Sequence, residues 1–126
     1  MFRFQKALVS LLVASAIFSF SACHHDTSPP TPLAADQIPA ELLRAYAKAK
    51  PDVMQIVTEI NSSLQAKDYP TAFHSVEVLC NVPVATKDER MTAVRAMLTI
   101  NGLLQTAQTQ GDPKATEALA RYKALK

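Results

Sequence analysis

"TKDERMTAVRAMLTINGLLQTAQTQGDP", residues 86–113, is the stretch on which the fold turns. Thr86 to Glu89 have the form of a capping box: the Thr side chain accepts an amide hydrogen bond and the Glu reaches back. Gly111 reads as a C-terminal stop, and Asp112-Pro113 opens another helix at once. Between these signals the sequence predicts one long helix over Lys87–Thr109. Met91, Val94, Met97, Leu98, Leu104 and Ala107 are expected on its buried face. Ile100 and Leu103 widen that face, so neighbours on two sides are expected.

The same punctuation recurs toward the N-terminus. Asp68 can cap and Pro70 can occupy a first turn, opening a short helix that closes at Asn81-Val82-Pro83. Its inward stripe is Ala72, Phe73, Val76, Leu79 and Cys80. Before it, Pro39–Lys48 reads as a helix with Leu42, Leu43 and Tyr46 on one face. Pro51 then kinks or breaks the chain, and Val53, Ile56, Val57, Ile60 and Leu64 continue the stripe in phase. After Pro113 a last helix is expected to bury Ala115, Ala118, Leu119, Tyr122 and Leu125. No segment alternates like a strand, and Gly102 and Gly111 are the only glycines. The expected fold is all-α: a small antiparallel bundle of four to five helices over residues 36–126.

Asp68 to Pro83 (DYPTAFHSVEVLCNVP) resembles the second helix of a tetratricopeptide repeat. Asp-Tyr opens it, Ala72 follows Tyr69 by three residues, and a Pro succeeds the helix. The resemblance implies one helical hairpin in which the small Ala72 lets two helices approach closely. No second copy recurs at the 34-residue period of such repeats, so a repeat array is not expected.

The first part of the chain has another character. Arg3 and Lys6 precede an apolar run of 14 residues, Ala7 to Phe20, followed by the small residues Ser21 and Ala22. That is a secretory signal pattern over residues 1–22. A membrane span needs about 20 apolar residues, so the run is short for one. Removing it leaves eleven basic against eleven acidic residues. No net basic field then remains for nucleic acid or anionic lipid.

Phe20-Ser21-Ala22-Cys23 resembles the lipobox of bacterial lipoproteins, with Phe20 where Leu is usual. The resemblance implies a diacylglyceryl group on the Cys23 thiol, Cys23 as first mature residue, and acylation of its amine, commonly by palmitate. Each buried methylene adds about 0.8 kcal/mol, so two or three chains hold stably where one does not. His24 stands where such lipoproteins retained in the inner membrane carry Asp. The resemblance therefore implies the outer membrane, facing the periplasm. Read from the residues alone, other roles for Cys23 stay open. One is a secretory cut nearby, after Ser21. Another is a disulfide with Cys80 in an oxidising compartment, and a third is a metal site with His24 and His25. Residues 23–35, with Pro29, Pro30 and Pro32, read as a stiffened tether with no fold of its own.

Little catalytic chemistry is legible. No HExxH, CxxC, GxGxxG or P-loop pattern occurs, so no cofactor and no metal site are expected. His74 and Ser75 are adjacent, and i, i+1 neighbours on a helix do not face each other. Cys80 reads as a small buried hydrophobe, and Met91 and Met97 as core. From Asp68 through GDPKATEALARYKAL the pattern also resembles small bacterial lipoproteins of uncharacterised function. The expectation is a non-enzymatic interaction or structural module, anchored through acylated Cys23 and bound to an envelope protein. Ile100 and Leu103 are its candidate partner surface. The alternative is a carrier of lipid or another hydrophobic ligand between helices.

Overall fold

The computed structural model describes residues 28–126. The signal segment, Cys23, His24 and His25 lie outside the described residues. A single 3-10 turn at Ala35–Gln37 leads into five helices: α1 (Ile38–Ala45), α2 (Pro51–Gln65), α3 (Tyr69–Cys80), α4 (Lys87–Thr109) and α5 (Pro113–Ala124). Among the described residues there is no strand. The expected all-α bundle is the observed fold, and α4 has the predicted bounds.

α1 to α4 close into a ring. α1 packs on α2, α2 on α3, α3 on α4, and α4 back on α1. α2 and α4 make no close backbone approach, so they are diagonal. The centre is filled by Ile38, Leu42 and Tyr46 from the α1 side, and by Val57 and Ile60 of α2. Val76 and Leu79 of α3 and Ile100 and Leu104 of α4 complete it, all without solvent exposure. Each such side chain adds about 1.5–3 kcal/mol relative to exposure. α5 lies outside the ring against both α3 and α4, burying Ala115 and Leu119.

Two turns of the same design set the hairpins α2–α3 and α4–α5. Asp68 N–H donates to the Ser63 carbonyl (2.8 Å) and Lys67 N–H to that of Leu64 (3.1 Å). Asp112 N–H donates to Ala107 (3.0 Å) and Gly111 N–H to Gln108 (3.0 Å). This is the Schellman pattern, which needs a left-handed residue just past the helix. Gly111 meets the need at φ 90°, whereas Lys67 adopts φ 56°. The same Asp then caps the next helix: Asp68 accepts from Thr71 N–H, and Asp112 from Lys114 N–H and Ala115 N–H. At the start of α4, Thr86 Oγ1 accepts from Glu89 N–H (3.1 Å), forming the Thr half of the capping box.

Of the two readings of Pro51, the break holds, since α1 ends at Ala45. Three expectations are corrected. The buried face of α4 keeps Leu104 and Ala107 of the expected set, but Thr92, Ala93, Ala96 and Ile100 complete it, while Met91 and Leu98 are 44% and 36% exposed. The small Ala93 and Ala96 let α1 and α3 approach α4 from both sides, and Met91 and Leu98 turn outward. Leu43 and Leu125, expected inward, are 48% and 85% exposed.

The third correction concerns the tether. Its last residues pack on α4. Leu33 is buried with the core, and its N–H donates to the Arg95 carbonyl (3.3 Å). The Thr99 hydroxyl donates to the Leu33 carbonyl, and Arg95 Nε–H donates to that of Thr31 (2.8 Å). The folded unit therefore includes Thr31, five residues before the expected boundary.

Candidate functional site

α3 is held between α2, α4 and α5, which leaves one outward strip. Along that strip two shallow cavities of about 440 and 530 Å³ adjoin, sharing His74, Glu77 and Leu125. Together they make one groove along α3, walled by α5 at one end and by the loop after α3 at the other. Spacing explains the lining. His74, Glu77 and Val78 are three and four residues apart, so they share the face of α3 turned away from Val76 and Leu79.

The groove floor is aromatic at the α5 end. Phe73 and Tyr122 meet edge to face, with ring centroids 5.2 Å apart and planes at 90°. This arrangement sets the positive ring edge against the negative face of its neighbour. Lys126 Nζ lies 4.5 Å from the Tyr122 centroid, a cation over the same ring. At the other end, the Asn81 side chain donates to the Glu77 carbonyl (2.8 Å), closing the last turn of α3. Val78 and Leu125 leave 42% and 85% of their surface to solvent at the groove's edge. Arg121 pairs with Glu117 at 3.3 Å on an exposed face, an interaction of about 0–1 kcal/mol.

Groups with displaced acidity sit elsewhere. Burial pushes the Cys80 thiol from its ordinary 9.0 up to about 11, helped by the Glu77 charge. At neutral pH it is therefore a thiol, the poorer nucleophile. Its sulfur lies 4.0 Å from Met97 Sδ at the α3–α4 seam. Burial also raises Tyr46, with Glu89 adding to the effect. The Tyr46 hydroxyl donates to the Glu89 main-chain carbonyl (3.0 Å), tying the end of α1 to the start of α4. Beside it, Arg44 pairs with Asp88 at 3.1 Å and with Glu41 at 3.0 Å. Apart from the Arg44–Glu41 pair within α1, these contacts tie one helix to another, away from the groove floor.

The expected site residues divide as follows. Cys23 lies outside the described residues. Ile100 has no exposure at all and shares its cluster with Leu33. It is a core residue and cannot form an accessible partner surface. Leu103, one turn beyond Thr99, is half-buried on the side of α4 that receives Leu33. The apolar excess read as a partner surface is thus in the core at Ile100 and half-buried at Leu103. Met91 is exposed, whereas Met97 packs against the core. Among the described residues no three His, Cys, Asp or Glu side chains converge as metal ligands. None of the described helices is long and apolar enough to cross a membrane. The groove escaped the sequence because Tyr122 and Leu125 read as inward-facing by spacing. Only their docking on α3, some fifty residues away, makes them a wall.

What this defines as a class is a closed four-helix bundle with a fifth helix packed outside it. No protein-family model, no curated protein and no solved structure matches the chain.

Proposed function

We propose that this chain is a non-enzymatic module of the bacterial cell envelope. It is held on the outer membrane by an acylated Cys23 and engages a second envelope protein through the α3–α5 groove. The observation that carries the groove's part is the placement of exposed Val78 and Leu125 around His74 and Glu77. Apolar side chains left open beside a few polar groups are the composition of a protein-docking surface. The anchor rests on the lipobox-like Phe20-Ser21-Ala22-Cys23 after its apolar run.

The alternative, a carrier of a hydrophobic ligand, draws on the groove's volume, which falls in the usual ligand range of about 300–1,000 Å³. Its opening to solvent favours a protein segment instead. A photo-crosslinking residue at Leu125, compared with one at Gln55 on α2, tests this in intact envelopes. A discrete protein adduct from position 125 and none from position 55 is expected. Equal adducts from both positions, or an adduct with lipid alone from position 125, would overturn it.

A further inference from the structure

We propose that the outer face of α4 is the face that lies against the lipid surface, with Met91 and Leu98 dipping into its interface. This rests on the Cys23 anchor proposed above. Thr31 and Leu33 are fixed to the flank of α4 by Arg95 and Thr99. Seven residues separate Thr31 from Cys23, so the two are eight residue steps apart. Fully extended, eight steps span at most about 29 Å. A domain of this size has a radius of gyration of about 13 Å, so a path around half of it runs to about 50 Å. The tether therefore brings the α4 side to the lipid and cannot bring the opposite side there.

The two sides differ as that placement requires. Lys87, Met91, Arg95 and Leu98 follow one another at helical spacing on α4, so they share one outward strip. Met91 and Leu98 are its exposed apolar members. Lys87 and Arg95 supply two cations, and the neighbouring Asp88 is engaged by Arg44. Apolar side chains among cations suit the boundary of an anionic bilayer. On the diagonal helix α2, the corresponding strip is Gln55, Glu59 and Ser62, all exposed and all polar. A patch of two side chains is too small to hold a protein on a membrane alone, so it orients what the acyl chains anchor.

The chain contains no Trp, so one introduced Trp is a unique reporter. The lipidated full-length chain carrying Leu98→Trp, Met91→Trp or Ser62→Trp is reconstituted with phosphatidylethanolamine–phosphatidylglycerol vesicles containing doxyl-labelled lipid. Circular dichroism checks that each variant keeps its helices, and Met91→Trp serves if Leu98→Trp does not. The α4 reporters should shift to the blue and be quenched at least about twofold more than the α2 reporter. Flotation with the vesicles but equal quenching at all positions overturns the orientation while leaving the anchor intact. Failure to float overturns both. A blue shift of Leu98→Trp without lipid, growing with protein concentration, would assign the face to a second copy of the chain and overturn the proposal.

Discussion

Leu33 donates its amide hydrogen to the carbonyl of Arg95 at 3.3 Å, and its side chain, 4% exposed, joins the core. A residue inside a proline-rich stretch is thus part of the folded unit. Truncating it to Ala removes a buried branched side chain and should cost about 2–4 kcal/mol in urea denaturation. An unchanged midpoint and slope would mean that the segment packs on α4 without contributing to stability.

Asp68 and Asp112 each end one helix hairpin's first helix and cap its second. Asp68→Ala and Asp112→Ala should each lower stability by about 1 kcal/mol. Lys67 holds a left-handed conformation that favours glycine. Lys67→Gly should therefore raise stability by about 0.5–1 kcal/mol, read as a higher thermal midpoint. A fall in that midpoint would show that the αL residue carries no strain.

Tyr46 is fully buried, and its hydroxyl has the Glu89 carbonyl as partner. Tyr46→Phe should cost about 1 kcal/mol, because the hydrogen bond to the Glu89 carbonyl is lost. Tyr46→Ala should cost more, through the cavity it leaves. If Tyr46→Phe matches the parent, the α1–α4 tie is not a source of stability.

Cys80 and Tyr46 both have folded-state pKa values raised above their unfolded ones. Each then contributes stability that is complete below its unfolded pKa and is lost as pH rises toward the folded value. For Cys80 the window runs from 9.0 to about 11. For Tyr46 the loss begins near its ordinary 10.0. Stability should thus be level through neutral pH and fall above about pH 9. Cys80→Ala should remove the earlier part of that fall. An alkaline profile identical in Cys80→Ala and the parent would assign the loss to Tyr46 alone.

Much of the fold was legible because helix ends carry local chemistry. Pro51, Asp68, Thr86 and the Gly111-Asp112-Pro113 run each mark a boundary that the structure keeps. What was not legible depends on neighbours distant in sequence. On α4, large side chains at 91, 94, 97 and 98 compete with alanines at 93 and 96 for the inward side. The alanines win because α4 must accept α1 and α3 together, a demand that no single-helix pattern contains. Leu33 stands alone among prolines and small residues, so no periodicity marks it. His74 was visible as a lone histidine, but the groove beside it exists only once α5 docks on α3.

Acylation of Cys23 is read by metabolic labelling with an alkynyl palmitate, followed by membrane fractionation. The parent chain should take up label and sediment with outer membranes, while Cys23→Ala should take up none and lose its mature membrane-bound form. Processed Cys23→Ala that still fractionates with membranes, or a parent chain without label, would contradict the account.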